Sequence, residues 1–304
     1  RAPAARDTRP RRRSAGRSRP ARAVQWGSAL TIEPVTFPYA THPTRRGERE
    51  LCADLFRPAG GGPADLLTWL HSGGFRTGSR QHRKHALIAA EFARHGIATA
   101  FIDYRLARPP AVLRRRTAAR LPVLVAEAEA AGEEMHPTFY GPRALAVVED
   151  CCAFLAHAAE RASELGLSGR MLLGGSSAGA ISALNTVYLA AFLGIDRPAI
   201  ASVFAFSGGF AYPGRLAPTG TRILAVHAPG DRRVPIGSIR RLAHRTPDPM
   251  LLVEAPAQRH GEPTLRPREP LAAAVARMVA FDRAPDPLAL PFATGAVQPE
   301  AAPC

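Results

Sequence analysis

The chain reads as an α/β protein built on a mostly parallel eight-stranded sheet with helices on both faces. Three observations predict this. Short β-rich runs alternate with longer helical ones from Thr31 onward. Several of the short runs, LLTWLH, ATAFIDY and ASVFAF among them, are apolar on both faces, as strands covered from each side must be. At 304 residues and 46% hydrophobic content, the chain can bury a full core.

In order along the chain, the first two strands are Thr31 to Phe37 and Glu50 to Phe56. No helix separates them, only the turn-rich segment Thr41 to Gly47, which predicts an antiparallel edge. Strand Leu66 to His71 follows, then helix Gln81 to His95 and strand Ile97 to Tyr104. Helix Ala144 to Leu165 leads into strand Met171 to Gly174, and helix Ala178 to Leu193 into strand Ile200 to Phe206. Strand Arg222 to His227, helix Ile236 to His244, strand Met250 to Glu254 and helix Arg266 to Asp282 complete the series. Strand and helix alternating at this spacing imply parallel strands joined by right-handed crossovers. One segment, Arg105 to Tyr140, breaks the rhythm. It holds two amphipathic pieces, Val112 to Leu121 and Leu124 to Met135, framed by prolines at 109, 110, 122 and 137. An insertion of that length in a compact domain is expected to be a lid over a substrate pocket.

Charge and cysteine content narrow the function classes. The formal net charge is +15, but residues 1–22 hold nine arginines and a single acid, so about half of the excess is a tail. Proline-punctuated and nearly devoid of large apolar residues, residues 1–23 are expected to be disordered. Residues 24–290 are expected to form one domain and 291–304 a C-terminal tail. Lys84 is the only lysine, and an arginine bias spread over the whole chain does not by itself describe a nucleic-acid surface. Nucleic acid is therefore not an expected partner. The longest apolar stretch, near Ala199 to Phe206, is far too short for a membrane span. Residues 21–31 are too short and polar for a signal-peptide core, so the expected location is cytoplasmic. Cys52, Cys151, Cys152 and Cys304 form no CxxC pair and no zinc-spaced cluster, and read as small buried residues. No metal or organic cofactor is expected.

Chemistry is concentrated in Gly175-Ser176-Ser177-Ala178-Gly179, a GxSxG pattern lying between the strand Met171 to Gly174 and a helix-forming run. A turn that sharp forces a strained backbone on Ser177 and leaves no room for a Cβ at Gly175 or Gly179. It presents the Ser177 hydroxyl at a helix N-terminus, where backbone N–H groups and the dipole favour negative charge. Ser176 is the competing nucleophile, but its flanking positions, Gly174 and Ala178, do not supply both glycines.

A serine hydroxyl needs a base, and the base an orienting carboxylate. Asp231 follows the strand RILAVH and His260 follows MLLVE, both past the carboxyl ends of strands, where an open α/β sheet places its ligand site. Asp196, Asp248 and Glu254 are the alternative carboxylates, and His244 and His227 the alternative bases. An oxyanion hole is also required, each donor contributing about 3 to 4 kcal/mol. His71-Ser72-Gly73-Gly74-Phe75 follows LLTWL, and the amides of Gly73, Gly74 and Ala178 are the candidate donors.

With these residues in place, the chain resembles the α/β-hydrolase superfamily and, within it, the hormone-sensitive-lipase-like carboxylesterases. The resemblance runs from about Thr31 to Asp282: HSGGF stands for that family's HGGGF or HGGGW, and Asp103 to Ala107 (DYRLA) for its YRLA segment. Glu149-Asp150 precedes the nucleophile strand, and GSSAG supplies the elbow. Ser72 replaces the first glycine of the HGGG motif, and the short interval between Ser177 and Asp231 leaves little room for cap helices there. The resemblance implies an α/β-hydrolase fold and an acyl-enzyme esterase acting on a small-molecule ester, short-chain acyl esters being the expected substrates. Three readings compete: an amidase or peptidase using the same triad, a catalytically silent binding protein on a hydrolase fold, and nucleic-acid binding through the basic tail of residues 1–22.

Overall fold

The computed structural model describes residues 33–44, 47–106, 112–291 and 296–297. The expected basic tail, and all but three residues of the expected C-terminal tail, lie outside them. Nine strands and seven α-helices are seen among the described residues. They run β1 (Val35–Thr44), β2 (Gly47–Phe56), β3 (Ala64–Leu70), α1 (His85–Ala93), β4 (Ile97–Ile102), α2 (Arg115–Ala130), α3 (Pro142–Glu160) and α4 (Ala162–Leu165). The second half is β5 (Leu167–Ser176), α5 (Ala178–Leu193), β6 (Ile200–Phe206), β7 (Arg222–His227), α6 (Gly237–Arg245), β8 (Met250–Glu254), α7 (Leu271–Arg283) and β9 (Ala296–Val297).

All nine strands join one sheet in the order β1-β2-β4-β3-β5-β6-β7-β8-β9. The strands β4, β3 and β5 to β8 run parallel, whereas β2 is antiparallel to both of its neighbours. The first eight strands are the predicted ones. The two-residue β9, antiparallel to β8, is an addition that no pattern of alternation could have announced.

Alternate side chains of each parallel strand enter opposite cores, which explains the doubly apolar runs. Leu66 and Leu70 of β3 pack on one face with residues of α2, α3, α5 and α6. Leu67 and Trp69 of the same strand pack on the other with α1 and α7. Cys52, Cys151 and Cys152 are buried, as expected of small core residues; Cys304 lies outside the described residues.

The insertion differs from expectation in one respect. Its two predicted helical pieces are a single helix, α2, that runs through Pro122. A proline removes one i to i−4 hydrogen bond. Here the carbonyl it strands belongs to Ala118, and both residues lie on the exposed side of the helix. Thr117, Leu124 and Ala128 face inward. Ion pairs from Glu127 to Arg215 and from Glu133 to Arg241, both 2.7 Å, tie the segment to the body. Among the described residues of the insertion, Phe139 lines the pocket that also holds Ser177 and His260.

No helix among the described residues is long and apolar enough to cross a membrane. No group of three or more His, Cys, Asp or Glu among them is placed to hold a metal ion.

Candidate active site

Strand β5 ends at Ser176 and helix α5 begins at Ala178, so Ser177 is the whole turn. Its backbone has φ 55° and ψ −120°, a conformation costing on the order of 1 to 3 kcal/mol for a non-glycine residue. The Ser177 N–H donates to the Phe206 carbonyl at 2.8 Å, which anchors the turn to β6. A Cβ on Gly175 would stand 2.5 Å from the Gly179 backbone, and one on Gly179 would stand 2.0 Å from the Leu70 carbonyl oxygen. Both glycines of the motif are thus fixed by close approach of backbone to backbone.

The imidazole of His260 bridges the other two predicted residues. Its Nε2 is 2.9 Å from Ser177 Oγ, and its Nδ1 is 2.6 Å from Asp231 Oδ2. Asp231 Oδ1 accepts the amides of Arg233 at 2.9 Å and Val234 at 3.3 Å. Burial alone would raise the Asp231 pKa, but the hydrogen bond from His260 and those two amides outweigh it and lower the pKa to about 2. The carboxylate is therefore ionised and holds Nδ1 protonated, which leaves the Nε2 lone pair aimed at the hydroxyl.

None of the alternative groups approaches Ser177. Asp196 is exposed, Asp248 binds Thr219, Gly220 and Tyr188, and Glu254 pairs with Arg240. His244 sits exposed in the last turn of α6. His227 is fully buried and donates Nε2–H to the Val234 carbonyl at 2.8 Å, closing the turn that carries Asp231. Ser176 lines the pocket but makes no hydrogen bond to His260.

Gly73, with φ 127°, and Gly74, with φ 60°, follow β3 and line the same pocket as Ser177 and His260. A Cβ at Gly73 would lie 2.1 Å from the Thr77 carbonyl oxygen. Ala178, first residue of α5, has an N–H that precedes the intrahelical ladder. The glycine loop is pinned by residues that sequence reasoning did not assign. Tyr104 donates its hydroxyl to the His71 carbonyl at 2.6 Å and stacks on the His71 ring at 3.9 Å. Gly78 lets that ring in, since a Cβ there would meet His71 Nδ1 at 2.2 Å. Burial lowers the His71 pKa to about 4, so the ring is neutral. Arg80, itself buried, clamps the loop through Asp54 at 3.0 Å and Asp103 at 2.6 Å.

The contacts that hold the loop bearing His260 were likewise missed. Gly261 donates its N–H to Ser207 Oγ at 3.0 Å, and the Gln258 amide donates to the Glu262 carbonyl at 2.8 Å. Ser207 is fully buried with φ 52° at the end of β6, a second strained serine beside the first. Its only sequence signal is its place at a strand end before two glycines.

The pocket over these groups is about 640 Å³, the size of a small-molecule site. No protein-family model and no curated protein matches the chain. Solved structures do. An esterase from Thermogutta terrifontis superposes with a TM-score of 0.58 at 14% identity, over 82% of this chain and 94% of that one. An esterase from Pyrobaculum calidifontis gives 0.52 at 19% identity, over 82% and 84%, and the esterase LipW from Mycobacterium marinum 0.52 at 18%, over 82% and 80%. At such identities the likeness carries architecture, and with the strand order and the elbow at Ser177 it establishes that this chain has the α/β-hydrolase fold.

Proposed function

We propose that this chain is a serine hydrolase of the hormone-sensitive-lipase-like group that cleaves small carboxylic esters through an acyl-enzyme. The observation that carries the reading is the single imidazole bridging Ser177 Oγ and the ionised Asp231. Ser177 Oγ attacks the ester carbonyl while His260 Nε2 takes its proton. Asp231 holds the imidazole in the tautomer that can do so and stabilises the imidazolium that forms. The carbonyl oxygen, now an anion, is stabilised by the amides of Gly73, Gly74 and Ala178. His260 returns the proton to the leaving alcohol, water repeats the sequence on the acyl-enzyme, and the acid is released. No step calls for a metal or organic cofactor. The buried thiols of Cys151 and Cys152 offer no rival nucleophile, since burial holds both high, that of Cys152 at about 12.

The structural neighbours favour esters over amides as substrates. The Thermogutta terrifontis enzyme is described as phosphorylated by paraoxon and, separately, as binding propionate. Carried to this chain, those descriptions support an organophosphate-reactive serine and a short acyl group. The test is labelling by a fluorophosphonate, with the modified peptide mapped by mass spectrometry, beside a panel of p-nitrophenyl esters and matching anilides. Labelling confined to Ser177, ester turnover reduced by more than about 10³-fold in Ser177→Ala, and esters favoured over anilides are expected. Faster anilide cleavage would make the protein an amidase, and an unlabelled chain with no turnover would make it a silent scaffold.

A further inference from the structure

The charges around the pocket do not balance. Three cationic side chains line it, those of Arg83, Lys84 and Arg233, against one lining carboxylate outside the triad, that of Glu262. Lys84 Nζ and Glu262 Oε1 are 2.6 Å apart, so these two neutralise each other across the rim. Arg83, in the turn before α1, and Arg233, beside the Asp231 turn, have no acid within ion-pair distance among the described residues. Asp231 is ionised as well and lowers the excess by one, but it does not line the pocket and its oxygens are taken by His260 and two backbone amides, so it leaves both guanidiniums free for a ligand. The other histidines on the wall carry no negative charge to offset the arginines: burial lowers the His85 pKa to about 3 and leaves His71 neutral, and burial with the Lys84 and Arg83 charges lowers that of His82.

Apolar surface accompanies the two arginines. Trp69, Ile88 and Phe139 line the same cavity, which suits a substrate with a short carbon skeleton and a charged end. Both arginines are exposed at the pocket wall, where a ligand can reach them, and a guanidinium presents a planar fork that matches a carboxylate. Resting on the hydrolase reading above, we propose that Arg83 and Arg233 are specificity-determining residues that select esters bearing an anionic group, a carboxylate above all, on the acyl or the alcohol side of the scissile bond.

The test uses the full chain and two pairs of esters matched in length. In the acyl arm, p-nitrophenyl hydrogen glutarate is compared with p-nitrophenyl pentanoate. In the alcohol arm, O-acetylglycolate is compared with propyl acetate, turnover being followed by pH-stat. In at least one arm the anionic ester is expected to show about a tenfold higher kcat/KM than its neutral partner, mostly through KM, and the preference is expected to shrink at high salt. The arm that shows it locates the anion. Arg83→Gln/Arg233→Gln should bring the ratio near unity, and Arg83→Lys/Arg233→Lys should restore part of it, which a merely structural role would not do. Equal or better turnover of the neutral ester in both arms, with Ser177 still labelled by a fluorophosphonate, overturns the selectivity and leaves the hydrolase reading intact. Absence of both labelling and turnover overturns the two together.

Discussion

At the scale of single residues, Asp231 joins the proposed catalysis to stability. Its pKa stands at about 2 against an ordinary aspartate value of 3.8, so the folded state favours the ionised form. The resulting stabilisation is complete above about 3.8 and is lost as the pH falls through about 2. Asp231→Asn keeps the shape and an oxygen acceptor for the Arg233 and Val234 amides, but has no charge to gain. Denaturant unfolding of both proteins across this range should show wild type gaining on the variant as the pH rises from about 2 to about 4. A gap that does not change across the window would mean that the His260 and amide contacts do not hold the carboxylate ionised. Ser177 shows the same coupling from the other side: its strained φ is imposed by the β5–α5 turn and tolerated because the Phe206 carbonyl and two bare glycine backbones leave the chain no alternative.

At the scale of elements, legibility followed how completely local pattern determined each piece. The strands β6, β7 and β8 and helix α5 begin and end where the apolar runs do, because each is buried on nearly all sides and bounded by turn residues. Edges were harder. Strand β1 extends to Thr44 through Pro38 and Pro43, and Thr44 pairs directly with Gly47, so the supposed turn Thr41 to Gly47 is mostly hairpin. An edge strand tolerates prolines that a central one would not, and the ladder slips in register between Pro38 and Ala40. Helix α7 starts at Leu271, later than its periodicity suggests, because Pro267 and Pro270 bar helical backbone before them. In the site, the proposed triad could be picked out because Ser177, Asp231 and His260 sit at strand ends with motif chemistry. The contacts that position them could not, because Ser207 meets the His260 loop, and Gln258 ties that loop to the Val226 carbonyl, only in three dimensions. Ser207→Ala removes the acceptor for the Gly261 N–H and should lower kcat about tenfold with little change in KM, fluorophosphonate labelling slowing in parallel. Unchanged kcat with labelling at the wild-type rate would show that the His260 loop holds its place without that bond.

At the scale of the whole molecule, one buried ion network joins parts of the chain that the sheet alone does not bind together. Arg105, following β4, donates from Nε to Asp150 at 2.7 Å and from Nη2 to Glu149 at 2.6 Å, both on α3. Its Nη1 donates to the Val112 carbonyl at 2.6 Å, and Glu149 accepts the Arg114 amide at 2.9 Å, so the start of the insertion is moored to the same point. His42 of β1 closes the group, with Nε2 3.0 Å from Asp150 Oδ1. All three charged side chains are essentially inaccessible to water, so removing one is far costlier than never having built the group. Arg105→Met leaves two buried carboxylates with no countercharge and should destabilise the fold by about 3 to 5 kcal/mol. Arg105→Met combined with Glu149→Gln and Asp150→Asn should recover most of that, since the neutral amide oxygens still accept the backbone N–H groups of positions 105 and 114 without bearing charge. Denaturant midpoints of the three proteins decide the matter. If the single variant is as stable as wild type, or the triple variant as weak as the single one, unpaired charge is not what the network guards against, and the insertion is then held chiefly by the packing of Leu124 and Ala128 on the core.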